Sequence, residues 1–224
     1  LFTENRQRLY AKLPPNSLVI VHANDVLPTN ADGSLPFIQN SDQFYLSGVD
    51  QEETILVLFP DAADPKQREM LFVRETNEVI AVWEGEKLTK EQATQRSGIQ
   101  RVHWLQDFET QFRSVMCQAE HVFLNSNEHI RATIPTETRE TRFTHRCMHE
   151  YPLHDYQRLA PLMHELRVIK SAHELTALNE AIRITSDGFN RLLKFVKPGV
   201  HEFEIEAELS HEFIRQRARG FAYT

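Results

Sequence analysis

Cysteine occurs twice and glycine seven times in 224 residues. No apolar run reaches the ~18 residues that a membrane span needs. Each scarcity excludes something. Two cysteines, Cys117 and Cys147, cannot build a disulfide scaffold, and free thiols in a reducing compartment fit them better. No glycine-rich loop of either common phosphate-cradling type is present. His-Glu occurs at 164, 173 and 211, but the zincin pattern HExxH does not, and neither does a Gly-x-Ser-x-Gly elbow. An excess of positive charge is also missing. Lys plus Arg is 25 against 32 for Asp plus Glu, a net charge of −7. Nucleic acid and anionic membrane, which attract basic surfaces, are therefore not expected as partners. The N-terminal LFTENRQRLYAKL carries charges where a signal peptide has its apolar core. A soluble, acidic, cytoplasmic protein is expected.

Ordinary globular material makes up the rest, with 41% hydrophobic and 25% charged residues. Residues 3–12 read as a helix opened by Thr3 and stopped by Pro14 and Pro15. The run 17–22, SLVIVH, suits a strand buried on both faces, and 24–36 reads as loop. Residues 41–47 suit a short helix with Gly48 just past its end. Strands are expected at 54–59, 69–74, 79–83, 101–105 and 121–124, and helices at 89–96 and 107–119. The last helix places Phe108, Phe112, Val115 and Met116 on one face. Alternation of strands with helices predicts an α/β fold with a largely parallel or mixed sheet.

After residue 135 the pattern changes. Residues 136–166 read as two helical segments separated near Tyr151-Pro152. Ser171 and Glu174 form a capping box for a helix running to about Phe195, and a second helix covers about 201–217. Two helices cannot bury their apolar faces alone, so this segment reads as the beginning of a larger domain. The boundary is placed near residue 168.

The chemistry-bearing residues form no complete catalytic constellation. His145 and His149 share a helix face with Cys147, Glu150 and His154 nearby, which could start a zinc site; a solvated polar helix is the competing reading. Cys117, between Met116 and Gln118, reads as a packing residue. Asp50, Glu52 and Glu53 read as a solvated turn. Trp83, before Glu84-Gly85, is either a binding anchor or a lid over the local core.

Several segments together resemble the Xaa-Pro aminopeptidases (aminopeptidase P) of the creatinase/prolidase superfamily. They are Gln39-Asn40-Ser41-Asp42-Gln43-Phe44-Tyr45-Leu46-Ser47-Gly48 with the strand TILVLF after it, and Trp83-Glu84-Gly85. His164-Glu165-Leu166-Arg167-Val168-Ile169-Lys170-Ser171 is similar to the family's hinge. Ile184-Thr185, Lys197-Pro198-Gly199, the run Glu202 to Leu209, and Ala218-Arg219-Gly220-Phe221-Ala222-Tyr223-Thr224 continue the match in the family's order. At residues 218–221 many relatives have Gly-Ala-x-x-Pro instead.

The resemblance implies a creatinase-like mixed sheet flanked by helices over residues 1–168, then the first helices of a "pita-bread" catalytic domain over 169–224. It implies a parent metallopeptidase that removes the N-terminal residue from peptides with proline second. The parent would hold two divalent metal ions, manganese, on ligands that lie beyond the Ala-Tyr-Thr stretch. No metal ligand and no catalytic residue is then expected within this chain, which alone should be inactive. Trp83 and Tyr223 match family residues near the substrate pocket or an oligomer contact, and a homo-oligomer, dimer or tetramer, is implied. A prolidase acting on Xaa-Pro dipeptides and a truncated non-catalytic binding or oligomerisation domain are the alternatives.

Overall fold

The computed structural model describes residues 1–131 and 133–221. The chain divides into two compact units, Leu1–Val168 and Ile169–Thr224.

The first unit is a six-stranded sheet with helices on both faces. Strand β1 (Ser17–His22) is buried at all six positions, as its unbroken apolar run predicts. It pairs antiparallel with β2 (Ile55–Leu58), which pairs antiparallel with β3 (Glu69–Val73), and β3 runs parallel to β4 (Arg101–Trp104). On its other side β1 runs parallel to β5 (His121–Leu124), and β5 to β6 (Asp155–Arg158). The order is β4-β3-β2-β1-β5-β6. Among these six strands β2 alone runs against the others, so β1, β3, β4, β5 and β6 all end at one edge of the sheet.

Alternation along the strands feeds two cores. Val19, Val21, Leu56, Leu58, Leu71 and Val73 face a cluster completed by α1 (Phe2–Tyr10), α2 (Ser41–Ser47), α4 (Lys90–Ser97) and α7 (Ala160–Val168). Leu18, Ile20, Ile55, Val57, Met70 and Phe72 face the opposite cluster, covered by α5 (Phe108–Met116) and α6 (Arg139–Glu150). The α5 face expected from spacing is the buried one: Phe108, Phe112, Val115 and Met116. Burying one such side chain is worth about 1.5–3 kcal/mol.

Local signals explain several boundaries. Asn40 caps α2 by accepting from the amides of Asp42 and Gln43, and Gly48 closes it in the left-handed region at φ 69°. A Cβ at Gly48 would strike the Phe2 ring, so position and neighbour both demand glycine. Thr89 and Gln92 make a capping box on α4.

Three local expectations fail. Residues 79–83 are not a strand but lie in the helix α3 (Glu78–Glu84), because Asn77 caps its first turn through the Ile80 amide and Gly85 ends it. Its β-branched residues carry helix geometry because the caps and Arg74 hold it. Arg74 bonds the Glu84 carboxylate through both terminal nitrogens (2.7 and 2.9 Å). The first helix starts at Phe2 with Leu1 as its cap residue, and the Thr3 hydroxyl sits within 3.5 Å of Arg6 instead of capping. Between the two helical segments of 136–166 a strand, β6, intervenes; its polar DYQR carries no strand pattern and is ordered by pairing with β5.

The second unit is a helical pair, α8 (Ala172–Phe195) and α9 (Glu202–Arg215). The capping box of Ser171 and Glu174 opens α8. The helices approach over Gly188, where a Cβ would lie 2.6 Å from a Leu209 methyl and 2.9 Å from the Phe213 ring. Leu178, Ile182, Phe189 and Leu193 on α8 remain exposed, as do Phe203 and Ile214 on α9.

Candidate functional site

Two features stand at the edge where five strands end. The first is the segment after β3. Arg74, directly past that strand, reaches Glu53 at 3.4 Å and Glu84 at the end of α3. Helix α3 buries none of its residues, and Trp83 is 84% exposed beside exposed Val79 and Val82. The lid reading of Trp83 therefore fails, since an indole that open covers no core. Trp83 is an open indole on a short helix whose last residue is held by Arg74.

The second feature is a cleft of about 600 Å³. Its walls come from the residues after β1 (Asn24, Asp25, Val26), the approach to β2 (Glu53, Ile55), the turn into α5 (Leu105, Phe108, Glu109) and α6 (Arg139, Arg142, Phe143, Arg146). Open α/β sheets characteristically bind ligands at the carboxyl ends of their strands. At the floor, His22 is only 2% exposed. Its backbone amide donates to Glu140 Oε1 at 2.8 Å, and its Nδ1 lies 3.1 Å from Glu140 Oε2. The ring packs against Phe143 (4.3 Å between centroids) and edge-on to Phe108 (6.2 Å).

Most charges around the cleft are matched. Arg142 pairs with Asp25, whose other oxygen accepts from the Arg139 amide at 2.8 Å. Arg146 grips Glu109 with both terminal nitrogens and reaches Glu150 at 2.9 Å, and these carboxylates hold its pKa above the ordinary arginine value. The Arg139 guanidinium differs. Burial lowers its pKa, the charges of Glu53, Asp25 and Glu140 oppose that, and among the described residues no hydrogen bond or ion pair meets it. Sequence reasoning missed this site. Its available signals were a histidine ending a fully apolar strand and three arginines on one helix.

The remaining candidates do not assemble. His145 pairs with Glu137 at 3.1 Å, Cys147 is buried on the core side of α6, and His154 Nε2 bonds the Met116 carbonyl at 2.7 Å. Burial pushes the Cys147 thiol up to about 12. Among the described residues no group of three or more His, Cys, Asp or Glu could hold a metal ion. Cys117 is exposed at the C-cap of α5, which corrects its reading as a packing residue. The carboxylates of 50–53 are not a freely solvated turn either: Glu52 pairs with Lys87, and Glu53, at φ 57°, pairs with Arg74. Tyr223 lies outside the described residues. Among the described residues no helix is long and apolar enough to cross a membrane.

One charged clasp beside this edge titrates. Arg158, closing β6, grips Glu128, which follows β5. Chiefly through that bond the Glu128 carboxyl falls to about 2. A carboxyl lowered on folding stabilises above its unfolded value, near ~4.3, and loses that contribution as pH falls toward the folded value. Arg158→Gln should therefore lower the denaturation midpoint at neutral pH, and the difference from the parent should shrink steadily on acidification below about pH 4. Urea titrations across that range measure it.

Comparison with known proteins follows the same outline. Residues 2–123 match the family model "Aminopeptidase P, N-terminal domain". The Xaa-Pro aminopeptidase of Escherichia coli K12 is 27% identical over 99% of this chain and 50% of its own length. A Bacillus anthracis structure assigned to aminopeptidase P superposes with a TM-score of 0.87 at 29% identity, over 96% of this chain and 51% of that one. A zinc-substituted E. coli aminopeptidase P in complex with product superposes with a TM-score of 0.78 at 26% identity, over 97% and 50%. The chain spans about half the length of the curated relatives it matches.

Proposed function

The chain belongs to the aminopeptidase P family through its N-terminal domain, and from that premise we propose that it forms the N-terminal portion of a metal-dependent Xaa-Pro aminopeptidase. The parent would release the first residue of peptides whose second residue is proline. Such bonds need a dedicated enzyme, because the tertiary amide and fixed φ of proline do not fit general peptidase sites. The observation that carries the reading is homology along nearly the whole chain to about half of the Escherichia coli enzyme, in sequence and in structure.

On this reading residues 1–168 are the creatinase-like domain and 169–224 begin the pita-bread domain. The exposed apolar faces of α8 and α9 support that, being surfaces that further chain would cover. The metal ions, manganese in this proposal, would be held by residues outside those described. Trp83 suits a substrate-pocket or oligomer contact, as an exposed indole at the end of a clamped helix; Tyr223 is proposed for the same region on its sequence match alone. A dimer or tetramer would give Trp83 a partner surface. A reducing compartment, the cytoplasm, agrees with two unbridged thiols.

The test has two arms. The 224-residue chain, given manganese and a tripeptide with proline second, should release no N-terminal residue. Protein purified from its native gene should exceed 26.2 kDa and cleave the same tripeptide. Release by the isolated chain would refute the division of labour. A native mass of 26.2 kDa would favour a binding role, and cleavage restricted to dipeptides would indicate a prolidase.

A further inference from the structure

The turn that precedes β2 ties down the base of the segment that carries Trp83. Three consecutive residues each hold a residue flanking α3. Gln51 Oε1 accepts from the Leu88 amide at 2.7 Å. Glu52 pairs with Lys87, and both side chains are mostly buried. Glu53 meets Arg74 Nε at 3.4 Å, and the terminal nitrogens of Arg74 hold Glu84 at 2.7 and 2.9 Å. Arg74 enters the segment while Lys87 and Leu88 leave it, so one turn closes both sides of its neck.

Helix α3 depends on such help. It has seven residues and buries none of them. Isolated helices shorter than about 12–15 residues are marginal in water, and packing of an apolar face normally makes up the difference. Without a buried face, α3 relies on its Asn77 and Gly85 caps and on the bond from Arg74 to its last residue.

The backbone of Glu53 is at odds with its side chain. It lies at φ 57°, in the left-handed region, where glycine is at ease and a residue with a Cβ is strained. The carboxylate is what accounts for a glutamate in that place. It serves Arg74, and it is one of three charges facing Arg139, which has Asp25 and Glu140 besides.

We propose that Glu53, acting through Arg74, is a positioning residue for Trp83: the chain Glu53–Arg74–Glu84 keeps α3 folded and so fixes where the indole stands. The use of that indole as a substrate-pocket or oligomer contact rests on the reading proposed above; the ordering of α3 does not.

NMR Cα shifts of residues 78–84 in the 224-residue chain read the helix population. Arg74→Gln should lower the folded-to-unwound ratio of α3 about fivefold, the worth of a well-aligned exposed pair. Glu53→Gly should lower it about twofold while the melting temperature of the chain does not fall, because glycine relieves the backbone as the carboxylate is lost. In the Arg74→Gln background Glu53→Gly should have no further effect on α3. Glu84→Gln cuts the same chain from its exposed end and should match Arg74→Gln; it replaces that variant should Arg74→Gln not fold. Three results would overturn the proposal: unchanged shifts over 78–84 when the Arg74–Glu84 bond is cut, a Glu53→Gly chain that melts lower with α3 intact, or a further loss from Glu53→Gly when Arg74 is already gone. The shifts are read without substrate, so they stand whether or not the parent is a peptidase.

Discussion

Arg6→Ala should destabilise the first unit by about 3–5 kcal/mol, a large part of the total stability of a domain this size. Arg6 is completely buried. One terminal nitrogen donates to the Leu46 carbonyl at 2.8 Å and the Ser97 carbonyl at 3.0 Å, and the other lies 3.0 Å from Glu69. Those carbonyls belong to the last turns of α2 and α4, where no intrahelical amide reaches them. A single guanidinium thus caps two helices, and Glu69 at the start of β3 balances its charge. Tyr10 donates to the other Glu69 oxygen at 2.7 Å, and burial followed by the Glu69 charge drives the phenol pKa upward. Alanine would leave two helix-end carbonyls without a donor and Glu69 with the Tyr10 hydroxyl but no balancing charge. Lysine should recover little, since an ammonium cannot span the three acceptors. Chemical denaturation measures both. Arg183→Ala, which removes two exposed α8 ion pairs, to Glu180 and Asp187, is the control and should cost under about 1 kcal/mol.

Glu140→Ala comes next, at about 2–4 kcal/mol, because it orphans two buried donors at once. The parallel ladder between β1 and β5 stops at Ile20, and the His22 amide lies past its end. Glu140 takes the place of the missing ladder acceptor with one oxygen and orients the imidazole with the other. Glu140→Gln should cost about 1 kcal/mol, since its carbonyl oxygen can still accept from the amide. Its NH2 group, however, would face Nδ1 and turn that nitrogen into an acceptor, which moves the ring proton to Nε2. The tautomer is readable from the 15N shifts of the imidazole. A conservative change that leaves the fold intact would thus reverse the polarity of the cleft floor.

Where local chemistry decides an element, the sequence is enough to place it. The apolar run of β1, the Asn40 and Gly48 ends of α2, the capping boxes of α4 and α8, and the stripe on α5 all lie within a few residues of their cause. Elements decided at a distance escaped. Helix α3 is rich in β-branched residues, and what holds it is an arginine on the preceding strand. Strand β6 has one interior neighbour and two charged ends. The cleft was invisible for the same reason. Arg139 and His22 are more than a hundred residues apart, and only the strand order brings them together. Family likeness singled out Trp83, but its exposure is set by the fold around α3.

The polarity that concealed β6 has a use of its own. An outermost strand presents a row of unsatisfied amides and carbonyls that can recruit a foreign strand and seed aggregation. In β6 the side chains along that row are Asp155, Gln157 and Arg158, with Asp155 bound to His121 and Arg158 to Glu128. An incoming strand would have to strip or bury those pairs to dock. The opposite margin, β4, opens on exposed Arg101. Both margins of a very apolar sheet are thus electrically guarded, which makes cross-β propagation from this domain costly at either end.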